Sequence, residues 1–410
     1  MADNNNIVQD LPQALQDLLN RVALSQGFKP SGYSIQLESG STVGDGFVGR
    51  MIRANIKESG TDRSLKAMCK VMQSNQEARD RYNSPLLFSK ECDYYASLLP
   101  TMCRFQEEKQ VPVEARFSAF PECYLSVYDE QSKEYMIALE DLRQRRFEMW
   151  DKLVPMSYEN VKLVMEQLGR FHAVSLALKD QRPEVFEQFK AHRDELTRIT
   201  GIKEFLDSMV KKSIDTLGTH EQDARERMQK LYENFWERIN ACLDPKAAEP
   251  YTVLCHGDIW ANNMMFRYEE KSPQEVVFLD LQAIRNTSPV NDVVHFLFCA
   301  TDDDFRQLHY KEMLQTYYNS LSNLLRLLGG DPERQFPQSA FQQQLKKFGI
   351  IGLLIAAFAL PPTCTDYAKA SNESMDDNSF LEFSTQERDE ARYRKRMSGA
   401  IRDAIRFGYL

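Results

Sequence analysis

Apolar positions recur with two different periods along this chain, and the change from one to the other divides it. Residues 11–22 carry a helical spacing. Over residues 33–71 the period shortens to two. Ser34-Ile-Gln-Leu-Glu38 alternates, Met51-Ile-Arg-Ala-Asn-Ile56 alternates, and Leu65, Ala67, Cys69 and Val71 share one face of a third run. Successive strand residues point to opposite faces, so each run predicts a strand with one buried side. A helix is expected over residues 88–99, with Phe88, Cys92 and Tyr95 on one face, and two more strands over 123–128 and 135–142.

Beyond Leu142 the helical period takes over. Val161, Val164, Leu168, Phe171 and Ser175 mark one face of a helix over residues 158–178. A polar helical region fills 183–243, and two short strand-like runs interrupt it around a loop at 251–281. Ser288-Pro289 predicts a helix start, serine as N-cap and proline in the first turn. Helical patterns continue to the end, broken at Pro361-Pro362 and at the polar segment 371–379. The outline is α+β: a small β-rich N-terminal lobe, residues 1–142, and a larger helical C-terminal lobe, residues 143–410.

Composition narrows what such a chain can do. At 410 residues, 42% hydrophobic and 27% charged, it has ample material for two globular lobes. The net charge of −9 is spread along the length, which predicts a small-molecule partner and no general affinity for nucleic acid. Eight scattered cysteines, none in CxxC spacing, argue against a zinc cage or a disulfide framework and suit a reducing compartment. The longest apolar run, residues 348–360, is too short to span a bilayer and predicts a buried helix. With no basic-apolar leader at Met1 and an unremarkable pair of glycosylation triplets at Asn286 and Asn372, a cytoplasmic protein is expected.

Phosphoryl transfer from ATP needs a carboxylate beside the acceptor hydroxyl, two oxygen ligands for Mg²⁺, a cation on the phosphates and a loop to cover them. His256-Gly-Asp-Ile-Trp-Ala-Asn-Asn263 supplies the first two: Asp258 as base and, five residues on, Asn263 as a metal ligand. Val276-Val-Phe-Leu-Asp280 is an apolar strand ending in a second carboxylate, and an amide oxygen with a carboxylate suits a hard cation. A lone HxD is usually a turn; followed in order by Asn263 and Asp280 it is a catalytic centre. Gly44-Asp-Gly-Phe-Val-Gly49 joins two strands, so Gly44, Gly46 and Gly49 fit a phosphate-covering hairpin better than a dinucleotide or Walker loop. Lys70, on the third strand, is the phosphate lysine and Glu91, on the next helix, its partner; Lys66 shares the face of Lys70 and rivals it. His256 is expected to brace the loop and His172 to be a satisfied core histidine. Phe296, Phe298, Tyr310, Tyr317 and Tyr318 fit a core better than an acceptor pocket, with Trp260 weighed alongside them.

Read together, His256-Gly-Asp-Ile-Trp-x-Asn-Asn-x-Met-Phe266 and Leu279-Asp-Leu-Gln282 closely resemble the insect ecdysteroid kinase-like, or CHK kinase-like, proteins, with Trp260 the most specific part. Ala138-Leu-Glu-Asp-Leu142, Leu168-Gly-Arg-Phe-His-Ala173 and Ser288-Pro-Val-Asn-Asp292 extend the likeness over roughly residues 30–340. The resemblance implies a bilobal protein-kinase-like fold of the aminoglycoside phosphotransferase and choline kinase type. It implies ATP and Mg²⁺ as cofactors, Asp258 as base, Asn263 and Asp280 as metal ligands, and Lys70 with Glu91 on the phosphates. Backbone atoms from Glu140 to Leu142 would receive the adenine. The implied acceptor is a hydroxyl of an ecdysteroid or another lipophilic compound, plant toxins included, hence a part in detoxification. A choline- or ethanolamine-type kinase and a silent pseudokinase holding a lipophilic ligand are the alternatives.

Overall fold

The computed structural model describes residues 13–40, 49–73, 75–129, 133–190, 202–365 and 388–410. Among them the chain forms two compact units. One takes the residues up to Thr101 together with Phe120–Glu148; the other takes Met102–Ala119 and the described residues from Met149 on. The mixed α+β architecture expected from the periodicities, a β-sheet N-terminal region and a helical C-terminal region, is the one found.

In the first unit, helix α1 (Gln13–Ser25) leads into strands β1 (Tyr33–Ser39), β2 (Gly49–Glu58) and β3 (Ser64–Met72). Short helix α2 (Gln76–Tyr82) and α3 (Ser84–Asp93) come next, then β4 (Cys123–Asp129) and β5 (Glu134–Glu140). The strands make one antiparallel sheet in the order β1-β2-β3-β5-β4. Its core follows from the period-two pattern. Leu15, Leu18, Leu19 and Val22 of α1 bury against Ile52, Ala54 and Ile56 of β2 and Ala67, Cys69 and Val71 of β3. Alternation then sends Lys66, Met68 and Lys70 to the opposite face. The helix expected at 88–99 is longer than the pattern indicated. From α3 it runs through a π-helical segment, Tyr94–Leu98, into α4 (Leu99–Glu108).

Short strand β6 (Phe147–Met149) precedes the long helix α5 (Tyr158–Gln181) of the second unit. The polar region resolves into α6 (Pro183–Lys190), α7 (Ile202–Ile214), α8 (Gln222–Glu233) and α9 (Phe235–Leu243), with a single turn α10 (Pro245–Ala248). Three strands, not two, fill the first part of the interruption: β7 (Val253–Cys255), β8 (Met264–Glu269) and β9 (Ser272–Phe278). β8 pairs with β9, and β7 pairs with β10 (Arg285–Thr287).

Helices α11 (Val290–Ala300), α12 (Asp303–Leu327), α13 (Pro332–Gln335), α14 (Gln338–Phe348), α15 (Ile350–Ala359) and α16 (Glu390–Arg406) complete the unit. Val290 is the first helical residue of α11, one later than the serine-proline signal placed it, yet Ser288 Oγ still accepts the Val290 amide at 3.3 Å. The apolar run is the buried α15, separated from α14 at Gly349. Among the described residues no helix is long and apolar enough to cross a membrane.

Candidate active site

The segment from Cys255 to Asn263 leaves β7 and must turn sharply before β8 begins. Gly257 makes that turn at φ +83°, and a Cβ placed there would lie 2.1 Å from the Ala283 carbonyl oxygen. Only glycine fits, on both backbone and steric grounds.

Asp258 follows, and Asn263 closes the loop onto it. Asn263 Nδ2 donates to the Asp258 carboxylate at 2.7 Å and to its carbonyl oxygen at 2.9 Å. The predicted five-residue spacing thus brings the two side chains into contact. Since the amide nitrogen is spent on Asp258, the amide oxygen Oδ1 faces the other way. The Leu279 amide donates to Asn263 O at 2.9 Å, so the end of β9 lies against this loop. Asp280 comes next in a left-handed conformation, φ +61°, which ends the strand and opens a 3₁₀ turn. Aspartate tolerates that region better than most side chains, and such strain gathers at functional sites. Gln282 Nε2 donates to Asp280 Oδ2 at 3.2 Å.

Electrostatics set the protonation of this group. Burial first, then the charge of Asp280, push the Asp258 carboxyl up to about 6; Asn263, Arg285 and Trp260 pull the other way. Burial lowers the His256 imidazole, which therefore stays neutral. Its Nε2 meets the Leu279 carbonyl at 3.0 Å, so the proton sits there, and Nδ1 accepts the Asp258 amide at 3.3 Å. His256 braces the loop, as its place in the sequence suggested.

A second layer of contacts was not foreseen as functional. Asp292, in the first turn of α11, is buried and accepts the His256 amide at 2.6 Å, the Gly257 amide at 2.9 Å and His172 Nε2 at 3.1 Å. Hydrogen bonds to the charged form hold its carboxyl below the usual range despite its burial. Arg285 adds a bond from Nη2 to the Gly257 carbonyl at 3.0 Å. Asp292 stands in the stretch Ser288–Asp292 that carried part of the family resemblance, yet nothing in a linear pattern says which backbone amides it meets.

His172, fully buried, bonds Tyr317 through Nδ1 at 2.8 Å as well as Asp292. Phe296, Phe298, Tyr310, Tyr317 and Tyr318 are all buried, the core reading; Trp260 alone of the aromatics considered is half-buried. Among the described residues, His172, Cys255 and Asp292 have ligand atoms within 4.8 Å of one another. They do not make a metal site. The imidazole nitrogens are both engaged, and burial pushes the Cys255 thiol well up while it donates to Ser288 O at 3.3 Å. A thiol held protonated is a poor ligand.

In the first unit, Lys70 Nζ lies 2.6 Å from Glu91 Oε2, both buried, with the ammonium 5.4 Å from the centre of the Phe88 ring. The helix that engages Lys70 is α3, the second after β3; the short α2 stands between them where the sequence suggested a single helix. Gly49, the last residue of the glycine loop, is described: a Cβ there would stand 2.6 Å from the Phe88 ring and 2.8 Å from Val71 O. Gly44 and Gly46 lie outside the described residues. At the end of β5, the Glu140 amide donates to Glu122 O at 2.9 Å and the Asp141 amide to Lys66 O at 3.2 Å, and Leu142 is buried.

With this geometry in view, the comparisons with known proteins are direct. The model of the ecdysteroid kinase-like family matches residues 43–330, well over half of the chain. The chain belongs to the ecdysteroid kinase-like family. That membership supports a small-molecule kinase, a phosphotransferase using a nucleotide. No curated protein matches the sequence significantly. Among solved structures, it is similar to an ethanolamine kinase of Plasmodium vivax, with 10% identity and a TM-score of 0.43, covering 97% of this chain and 89% of that one. It is also similar to the GDP complex of wild-type aminoglycoside 2'-phosphotransferase-IIIa, with 13% identity and a TM-score of 0.39, covering 83% and 99% respectively. Likenesses this distant say nothing of what this family member binds.

Proposed function

We propose that this ecdysteroid kinase-like protein uses ATP and Mg²⁺ to phosphorylate a hydroxyl of an ecdysteroid or a related lipophilic compound, xenobiotics included, in the cytoplasm. Residues 1–142 would serve the nucleotide and 143–410 the acceptor. The observation that carries the reading is the contact between Asp258 and Asn263, with Asp280 just past the end of β9 close enough to raise the Asp258 carboxyl.

In this reading Asp258 is the catalytic base. It orients the acceptor hydroxyl and receives its proton, and a carboxyl titrating near 6 is charged at neutral pH while still basic enough to accept. Asn263 Oδ1 and the Asp280 carboxylate form an all-oxygen donor set that fits Mg²⁺. When bound, that ion would neutralise phosphate charge and tie the nucleotide to the protein. Lys70, held by Glu91, is assigned to the phosphates, and Gly44, Gly46 and Gly49 to the loop covering them. Backbone atoms of Glu140 to Leu142 are assigned to adenine, the Glu140 and Asp141 amides being already bonded within the first unit.

The test is phosphate transfer from ATP, with Mg²⁺, to a panel of ecdysteroids, plant glycosides, choline and ethanolamine. Transfer to a lipophilic hydroxyl, abolished by Asp258→Asn with nucleotide binding retained, is expected. Transfer to choline or ethanolamine alone would overturn the acceptor class. Nucleotide binding without transfer to any of them would overturn the kinase reading.

A further inference from the structure

Helix α11 is held at both ends, and the two grips differ in origin. Its first turn carries Asp292, which fixes the catalytic loop through the His256 and Gly257 amides. Its last turn has carbonyl groups that no further helical turn can satisfy. Three of its last four carbonyls, and that of the C-cap Thr301, are taken by donors outside the helical ladder. Leu297 O accepts Thr301 Oγ1 at 2.5 Å, and Ala300 O accepts the Met156 amide at 2.8 Å. Thr301 O accepts Arg306 Nη1 at 2.7 Å, and Cys299 O accepts Arg396 Nη2 at 2.7 Å.

The two arginines are not equivalent. Arg306 is fully buried and its charge is answered by Asp403 at 2.7 Å. Arg396, from α16, is 4% exposed, its hydrogen bonds go to neutral oxygens, and the only carboxylate charge it feels among the described residues is the more distant Asp302. Its other contact is neutral, Nη1 to Thr363 Oγ1 at 2.8 Å, and its Nε has no hydrogen-bond partner. Its compensation is the negative end of α11. Burying a guanidinium on such terms is a poor route to stability, since an apolar side chain of similar volume would fill the space at lower cost. What an apolar side chain could not do is grip Cys299 O. Helix α16, residues 390–406, lies wholly beyond the 43–330 span of the family model.

We infer that Arg396 is a positioning residue for phosphoryl transfer: by binding Cys299 O from the C-terminal helix, it fixes α11 and through Asp292 the backbone of the catalytic loop. The inference rests on the kinase reading for its effect on rate, but its structural half stands apart.

Two measurements on Arg396→Met, which keeps volume and loses the donors, separate them. Hydrogen exchange at the His256 and Gly257 amides should quicken by roughly 2- to 30-fold, the usual reach of such coupling, while exchange in the β1–β5 sheet stays as in the parent. In the transfer assay kcat should fall by a similar factor with the KM for ATP unchanged. Arg396→Lys, which retains the cation and can reach one of its two acceptors, should recover part of both losses; if Arg396→Met does not fold, this milder variant is read against the parent instead. Unchanged protection of His256 and Gly257 would overturn the inference. So would a lower kcat accompanied by a general rise in exchange across both units, the mark of a merely structural role. If the parent protein transfers no phosphate to any acceptor, the kinase reading fails, and the amide exchange still decides whether α16 governs the loop.

Discussion

Replacing Asp292 with asparagine removes one charge and almost no volume from a site that is 1% exposed. Oδ2 accepts from the His256 amide and His172 Nε2, while Oδ1 accepts from the Gly257 amide. An asparagine has one acceptor oxygen. Set where Oδ2 was, it leaves its NH₂ facing the Gly257 N–H; set where Oδ1 was, the NH₂ faces the His256 N–H. His172 can adapt by changing tautomer, but a backbone amide cannot. Either orientation orphans one buried backbone donor and weakens bonds that were made to a charge, at about 2–5 kcal/mol in all. All three tryptophans, at 150, 236 and 260, belong to the second unit, so their fluorescence in a urea titration follows its unfolding. The depressed Asp292 carboxyl fixes the sign with pH. Its stabilisation is present above the unfolded carboxylate range, near 3.9, and disappears as pH falls through the lower folded value. The gap between the parent and Asp292→Asn should thus be full at pH 7 and shrink toward pH 3. A gap below about 0.5 kcal/mol at pH 7 would refute the reasoning, because only a surface substitution should be so mild.

Three other outcomes follow from the same geometry. In metal-free protein the Asp258 carboxyl, followed by NMR, should titrate near 6, and Asp280→Asn should lower that value by removing a like charge; a midpoint near 4 in the parent would contradict it. As a base, Asp258 should lose activity as pH falls through that midpoint. Glu91→Ala removes the carboxylate that lies 2.6 Å from the buried Lys70 ammonium, which should weaken the first unit, read as faster amide exchange along β3 and β5; parental exchange rates would speak against a buried pair. Gly257→Ala forces a Cβ onto the Ala283 carbonyl and should cost more than about 2 kcal/mol in the second unit, and a parental urea midpoint would show that the turn has another way to close.

What the sequence disclosed depended on how local each relation is. The strands of the first unit were legible because alternation is written residue by residue, and Asp258 with Asn263 because five residues separate them. Lys70 and Glu91 are 21 residues apart, but one sits on a strand and the other on a helix close after it, with only the short α2 between, which leaves few ways to pair them. Asp292 is different. It meets amides 35 and 36 positions back, through a loop whose turn depends on Gly257, and no periodicity encodes that. The clamp on α11 is more remote again, for Arg396 reaches Cys299 across 97 positions. Where the pattern misled, the causes were small: Ser288-Pro289 starts its helix one residue late, and a π-helical turn carries α3 on into α4.

The fixed proton on His256 has a practical consequence at the bench. Both of its ring nitrogens are occupied and the ring is buried, as are His172 and His295, three of the six histidines in the chain. An imidazole-acylating reagent applied to the folded protein would therefore spend itself on surface rings such as His220 and His309. Inactivation by such a reagent would report damage elsewhere, and the usual conclusion from it, a histidine acting in the chemistry, would be drawn from the wrong residue.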